Sequence, residues 1–171
     1  MIQYLFTGSN SPLYNDILEQ IRDNRIEWII IENNLPQNVA YDIEQFCRDN
    51  GIIMTVIDNV ELLKQNRLHG IHFSSVNGIQ DIRENEGAHP IIGVDYSPEI
   101  DIESLRMMDI DYISVDLHKF PIEKALEIAW DVKNKIRLIA RSNNFSHHDA
   151  VKLQEAGFAG FCISSLPNKN S

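Results

Sequence analysis

The stretch DYISVDLHKFP at residues 111–121 contains the unit from which the whole chain is built. It begins with apolar residues typical of a buried strand and becomes charged at Asp116, His118 and Lys119. A helical pattern follows Pro121. An apolar strand, a polar strand end and an amphipathic helix in this order indicate a βα unit. In parallel α/β folds, residues that bind or react follow the carboxyl ends of such strands.

The same unit recurs along the chain, with no low-complexity linker between copies. The predicted strands are residues 3–7, 28–32, 52–58, 70–75, 91–96, 111–116, 137–141 and 161–165. Most are apolar at consecutive positions, as expected of strands that are covered on both faces. Eight consecutive βα units predict a closed parallel barrel rather than an open doubly wound sheet. We therefore expect a single domain over residues 1–171, an α/β fold of the shortened (βα)8 TIM-barrel type.

The carboxyl end of this barrel poses a packing problem. Six residues follow the last predicted strand, so we expect the last helix to be missing or vestigial. The outer faces of the first and last strands would then expose apolar surface, which soluble monomers avoid. A homodimer that covers this side is the expected solution.

Composition narrows the range of partners. The chain is 43% hydrophobic and 23% charged, with a net charge of −10. Nucleic acids and anionic membranes need clustered basic residues, so neither is expected as a partner. The start of the chain has no basic, apolar leader pattern, and the predicted location is the cytoplasm. Cys47 and Cys162 lack metal-type spacing and are expected to be free, buried thiols.

Polar residues collect at the predicted strand ends, which meet at one mouth of a parallel barrel. They are Thr7, Glu32, Asp58, Ser74, Asp95, Asp116, His118, Arg141, Ser164 and Ser165. Several carboxylates around one mouth can hold a metal or a cationic ligand, or can simply cap the helices that follow. For Asp58, both interpretations stay open. His72 lies within a predicted strand, where a buried, hydrogen-bonded core histidine is expected.

Phrases along the chain carry a family resemblance. They are YLFTG, IIIENN, VIDNVELL, HGIHFSS, IIGVDYS, DYISVDLHKF and EAGFAGFCISSL. In order and spacing they resemble the thiamine phosphate synthase and thiazole tautomerase superfamily, over residues 4–166. The resemblance implies a barrel that binds a phosphorylated thiazole or pyrimidine at the mouth formed by the strand ends.

The synthase branch implies a magnesium-dependent transferase. Asp58 matches a magnesium-binding Asp of that branch, whose second metal-binding Asp falls at about Asn77 here. If magnesium binds, Asp95 or Asp116 is expected as the second ligand beside Asp58, because a single carboxylate binds magnesium weakly. Ser164 and Ser165 match the final phosphate-binding phrase, with Arg141 as the nearest counter-charge. Glu32 and Asp95 are further strand-end residues expected to contact the substrate. The chain departs from the synthase pattern, however, because Glu32 stands where a basic residue is expected.

The tautomerase branch implies proton transfer on a thiazole carboxylate phosphate by a His near the end of the sixth strand. His118 lies at or next to that position, and histidine suits acid/base work at neutral pH. Asp116 would orient the imidazole, and Lys119 would attract an anionic substrate. The competing interpretation is a solvated loop at His118 and Lys119, with a local pairing of Asp116. A non-catalytic barrel that binds a small ligand or a protein partner is the alternative function.

Overall fold

A computed structural model describes residues 2–7, 14–23, 25–32, 35–66, 68–132 and 135–163. Strands and helices alternate throughout. Their bounds are β1 Ile2–Thr7, α1 Tyr14–Asp23, β2 Trp28–Ile31, α2 Gln37–Asn50, β3 Ile53–Ile57, α3 Val60–Asn66, β4 Gly70–Phe73, α4 Ile79–Glu86, β5 Ile91–Asp95, α5 Ile102–Met107, β6 Tyr112–Asp116, α6 Ile122–Val132, β7 Arg137–Ser142, α7 His147–Glu155 and β8 Phe158–Ile163.

The eight strands are parallel, pair in chain order and close into a barrel through β1 and β8. The predicted (βα)8 barrel is thereby confirmed. The expectation of a missing or vestigial last helix concerns residues 164–171, which lie outside the described residues. The homodimer expected from that feature therefore stays a prediction. Within the described ranges, no helix is long and apolar enough to cross a membrane.

Strand residues alternate between two apolar clusters. Those facing outward, such as Ile29, Ile71 and Ile113, are fully buried against the helices. The inward-facing cluster fills the barrel with Trp28, Ile30, Tyr112, Ile139 and Cys162. Both faces of β2 to β8 are thus covered, which explains the consecutive apolar residues in these parts of the sequence.

Two strand boundaries differ clearly from the predicted ones. The eighth strand begins at Phe158 rather than at Phe161, because Gly157 takes a positive φ of 101° and the chain turns directly into the strand. The fourth strand ends at Phe73 rather than at Ser75. The strands β2, β3 and β5 also end one residue earlier than the sequence pattern indicated, whereas β6 ends as predicted and β7 ends one residue later.

The helices α7 and α3 are each capped by a polar side chain that directly precedes the helix. Ser146 caps α7 by accepting a hydrogen bond at 3.1 Å from the Asp149 backbone N–H. At α3 the cap is Asn59, whose Oδ1 accepts from the Leu62 backbone N–H at 2.8 Å. The capping interpretation of Asp58 is therefore wrong. Cys47 and Cys162 are both free and buried, as expected.

Gly93 is the position on which the packing inside the barrel depends. It lies in register between His72 of β4 and Tyr112 of β6. A Cβ added at this residue would lie 2.0 Å from the ζ-carbon of the Tyr112 ring. The missing side chain therefore makes the space that the tyrosine ring occupies.

We predict that Gly93→Ala destabilises the fold by roughly 2–4 kcal/mol, because a methyl group would overlap the ring of a fully enclosed tyrosine. Gly51→Ala is the control, since its Cβ would meet open space at a positive φ of 67° in the left-handed helical region. That control should cost only about 1 kcal/mol. Urea unfolding of both variants measures the difference, and equal losses would contradict the packing argument.

Candidate functional site

A chain of polar side chains rises from the barrel interior to the strand ends. Tyr112 packs edge-on against Trp28, with 5.3 Å between the ring centroids. The Tyr112 hydroxyl hydrogen-bonds with Nδ1 of His72 at 2.9 Å. Nε2 of His72 donates to Oδ1 of Asp95 at 3.0 Å. His72 is only 1% exposed, which confirms the predicted core histidine and connects it to a carboxylate at the mouth.

Arg141 joins that carboxylate to a second one. Its Nη2 atom lies 3.3 Å from Oδ2 of Asp95 and 3.0 Å from Oδ2 of Asp116. The three residues sit near the ends of β5, β6 and β7, so parallel strands bring them together from distant parts of the sequence. The side chains are 18%, 15% and 10% exposed for Asp95, Asp116 and Arg141. They are therefore mostly buried, yet solvent still reaches them. We call Tyr112, His72, Asp95, Arg141 and Asp116 the mouth network.

Electrostatic interactions within the mouth network favour the charged forms of Asp95 and Arg141. Burial pushes the pKa of Asp95 upward, but the hydrogen bond and charge of His72, together with the positive charge of Arg141, more than offset this and lower it. For Arg141, burial lowers the pKa while Asp95 and Asp116 raise it, and the net shift is upward. Burial also raises the pKa of the adjacent Cys162 thiol, so this sulfur stays protonated.

The loop after β6 holds the proposed acid/base residue differently from the expected arrangement. The strand ends at Asp116, and residues 117–119 form a turn. Oδ1 of Asp116 accepts a hydrogen bond at 3.0 Å from the backbone N–H of His118 rather than from its ring. The ring Nε2 of His118 instead accepts from the backbone N–H of Asn143 at 3.2 Å. His118 is exposed at the mouth, with its ring directed toward the loop after β7.

The remaining predicted ligand contacts lie around the same mouth. Lys119 is exposed on the turn after β6 and acts electrostatically on Asp95. Glu32 directly follows β2 and is partly exposed. Ser164 and Ser165, the expected phosphate-binding pair, lie outside the described residues. Arg141, expected as their counter-charge, is already shared between two carboxylates.

Asp58 has a structural role in the described chain. It follows β3 with a positive φ of 48°, and its two oxygens accept from Ser74. The Ser74 backbone N–H donates at 2.9 Å and the Ser74 hydroxyl at 2.5 Å. Among the described residues, no group of three or more His, Cys, Asp or Glu side chains could hold a metal ion. The predicted magnesium ligands fit the ion poorly, because their carboxylates already have partners. Asp58 accepts from Ser74, and Asp95 and Asp116 pair with Arg141.

Sequence reasoning brought Asp95, Asp116 and Arg141 to one mouth but did not pair them. It also left out Tyr112 and placed His72 in the core without a function. The strand register that brings these residues together is visible only in the structure, where His72, Gly93 and Tyr112 occupy equivalent inward positions on β4, β5 and β6. The glycine in that row is what permits the hydrogen bond across β5.

We predict that Asp95→Asn costs roughly 1–3 kcal/mol at neutral pH, because it removes the charged partner of Arg141 and His72. The folded pKa of Asp95 lies below its ordinary value of 3.8. Its stabilising contribution is thus complete above that value and is lost as the pH falls through the lower folded pKa. The difference in melting temperature between wild type and variant should narrow below about pH 4.

The matched control for this prediction is Asp81→Asn, which alters an exposed carboxylate on α4. Its melting temperature should stay within about 1 °C of wild type at neutral pH, as for most surface substitutions. A wild type and an Asp95→Asn variant that melt alike at neutral pH would show that the carboxylate does not hold the mouth network.

Comparisons with known proteins give the fold. No family model and no curated protein sequence matches the chain. Among solved structures, thiamine phosphate pyrophosphorylase from Pyrococcus furiosus superposes with a TM-score of 0.76 at 19% identity, covering 95% of this chain and 84% of that one. A mutant tryptophan synthase alpha-subunit from the same organism gives 0.70 at 13%, covering 95% and 85%.

A glycerol uptake operon antiterminator regulatory protein from Listeria monocytogenes also matches, with a TM-score of 0.66 at 14% identity and coverage of 98% and 93%. Enzymes and a regulatory protein thus share this architecture, and identities this low show the fold alone. The chain is a TIM barrel of the type found in thiamine phosphate pyrophosphorylase and the tryptophan synthase alpha-subunit.

Proposed function

We propose that the protein binds a small phosphorylated heterocycle, of the thiazole or pyrimidine type, at the carboxyl ends of the barrel strands. The observation that carries this proposal is the mouth network. Two carboxylates and a guanidinium lie mostly buried where the strands end. Burying charge is costly, and in parallel barrels the ligand-binding face is this one. The likeness in fold to thiamine phosphate pyrophosphorylase agrees with it.

The phosphate end of the ligand is assigned to the late loops. Lys119 is exposed on the turn after β6, and the ring of His118 is exposed beside it. Backbone N–H groups of late βα loops commonly bind phosphate in barrels. Ser164 and Ser165 remain the proposed phosphate contacts in the last loop. Arg141 has a different part in the proposal, since its charge already balances Asp95 and Asp116.

The chemistry proposed for this site is proton transfer. His118 is the general acid/base, because its ring is exposed at the mouth and meets the Asn143 backbone N–H through one nitrogen. The other ring nitrogen can then face a ligand. Asp116 acts by holding the turn through the His118 backbone N–H rather than by contacting the imidazole. His118 thus remains the residue proposed to move a proton on a thiazole carboxylate phosphate.

A non-catalytic binding barrel is the second candidate function. It is favoured by the contacts that Asp116 makes, since the carboxylate expected to orient His118 contacts the backbone and Arg141 instead. Under this candidate, the protein binds the same ligand class without turnover. A homodimer and a cytoplasmic location complete the proposal and await direct tests.

We predict that thiazole phosphate or pyrimidine phosphate raises the melting temperature, because a ligand that binds only the folded state stabilises it. At a ligand concentration about a hundredfold above Kd, the added stability of the folded state is about 2.7 kcal/mol. If the proton-transfer proposal holds, His118→Asn abolishes isomerisation of thiazole carboxylate phosphate and leaves the unliganded melting temperature within about 2 °C. The control is His147→Asn, another exposed histidine, on α7.

Three results separate the candidates. Isomerisation in wild type and in His147→Asn, but not in His118→Asn, supports the enzyme. Ligand stabilisation without isomerisation in wild type leaves the binding barrel. No stabilisation by either phosphate would remove the ligand class altogether.

Magnesium would have to enter together with a phosphate, because the candidate carboxylates are already engaged and magnesium favours phosphate oxygens and water. We predict no calorimetric heat with magnesium alone and a binding heat only when a phosphorylated heterocycle is present. Asp58→Asn should remove that heat if Asp58 is a ligand. An unchanged heat in Asp58→Asn would exclude this residue from any metal site.

A further inference from the structure

A cavity opens on the outer side of the barrel wall, where the first turns of α6 and α7 meet the loops that precede them. It lies between residues 117–122 and residues 142–149, and we call it the outer cavity. Along β7, Ala140 packs against the helices and Arg141 turns inward to the mouth network. Ser142 is the next residue and therefore points outward, away from the mouth. The cavity volume of about 460 Å³ is within the roughly 300–1,000 Å³ typical of small-ligand sites.

The Ser142 hydroxyl lines the outer cavity without a partner. The residue is 9% exposed, and across the described parts of the chain its side chain makes no hydrogen bond. Buried hydroxyls in native proteins are nearly always paired with protein, water or ligand. A buried, unpaired hydroxyl that faces a cavity of this size indicates a group that a bound molecule completes.

Asp149 supplies the charge of the outer cavity. Its Oδ2 accepts from the Ser146 hydroxyl at 2.7 Å, and Oγ of Ser146 accepts in return from the Asp149 backbone N–H at 3.1 Å. In the described chain, the second carboxylate oxygen of Asp149 has no hydrogen-bond partner. The described residues that line the cavity include no lysine or arginine. The cavity therefore offers an open carboxylate oxygen with no basic side chain beside it.

We infer that the outer cavity is a second ligand site, which binds a small primary amine with an apolar body. An ammonium group has three N–H donors and no acceptor, which suits the open oxygen of Asp149 and the unpaired oxygen of Ser142. Hydrogen bonds from an ammonium to a carboxylate are stronger than bonds between neutral groups. The site lies on the other side of the barrel wall from the mouth, so the inference is independent of the proposed function.

The apolar part of the lining fits the body of such an amine. Leu117, Ile122 and Phe145 line the cavity and are partly buried against the cluster that packs between strands and helices. The Phe145 ring rests on Phe161, with 4.7 Å between the ring centroids. Apolar walls with a few polar groups are typical of small-molecule sites. A ligand carboxylate would be repelled by Asp149, so charge makes the cavity selective for amines over acids.

The test uses benzylamine and benzoate, two probes of similar size and opposite charge. At neutral pH, benzylamine is a cation with N–H donors, whereas benzoate is an anion with acceptors only. Ligand-observed NMR titration of the wild-type protein should show benzylamine binding at least about tenfold tighter than benzoate. The backbone amide resonances of Asn144 and Phe145 should move during the benzylamine titration, because both residues line the cavity.

Two variants decide whether the amine binds in the outer cavity. Asp149→Asn removes the charge with little change of shape and should weaken benzylamine binding by roughly tenfold or more. Ser142→Ala removes one hydroxyl and should weaken it by roughly three- to tenfold, the range expected for one hydrogen bond. The melting temperature of Ser142→Ala should equal or exceed that of wild type, because the lost hydroxyl has no partner in the described chain.

The matched controls make the same chemical changes elsewhere. Ser114→Ala removes a serine hydroxyl that is also buried, but on β6 between the inward residues Tyr112 and Asp116. Asp81→Asn removes an exposed carboxylate on α4. Benzylamine binding should be unchanged in both controls.

The outcomes separate this site from the mouth. Weaker benzylamine binding in Asp149→Asn and Ser142→Ala, with both controls unchanged, supports the inference. Unchanged binding in either variant overturns it, since the amine would then bind elsewhere, for example at the carboxylates of the mouth. Equal affinity for benzylamine and benzoate, or no binding of benzylamine, also overturns it. None of these results alters the proposed function, which depends on stabilisation by phosphorylated heterocycles. If Asp149→Asn does not fold, Ser142→Ala decides alone.

Discussion

The hydrogen bond between Tyr112 and His72 is the interaction on which the rest of the site depends. It spans β5, and this is feasible because Gly93 contributes no side chain to the space between β4 and β6. The tyrosine ring fills that space, packs edge-on against Trp28 and stacks on the His72 ring, with 5.5 Å between the two centroids. One missing Cβ thus sets the packing of three aromatic rings inside the barrel.

The mouth network follows from that packing. With one ring nitrogen engaged by the tyrosine, His72 directs the other to Asp95, which in turn meets Arg141. Each group is mostly buried, and each has a charged or polar partner, as the cost of desolvation requires. Side chains held from below in this way need little reorganisation when a ligand arrives, which agrees with the ligand site proposed at this mouth. It also makes Arg141 less available to a phosphate than its place on β7 suggested.

The candidate site could be predicted from sequence in its location but not in its contacts. Asp95, Asp116 and His118 were identifiable because they follow apolar strands, and the strand ends of a parallel barrel share one face. What Asp58 does could not be read in this way. Its carboxylate holds Ser74 on the next strand, and Asn59 caps the helix, although either residue has the chemistry of a cap. Asp58 and Asn59 could both cap the helix by their chemistry. Which of them does so depends on the backbone conformation, and Asp58 has a positive φ.

The sequence by itself determined the architecture. Eight consecutive βα units with apolar strands favour a closed parallel barrel over an open doubly wound sheet. The hydrophobic periodicity that shows these units is a local property, so it can be recognised in the sequence without knowledge of the fold. The tertiary structure alone decided which polar groups meet. Arg141 lies 25 residues from Asp116 and 46 from Asp95 in sequence, and His72 lies 40 from Tyr112. Their pairing depends on strand register and on the space left by one glycine, and neither is encoded in the pattern of a single segment.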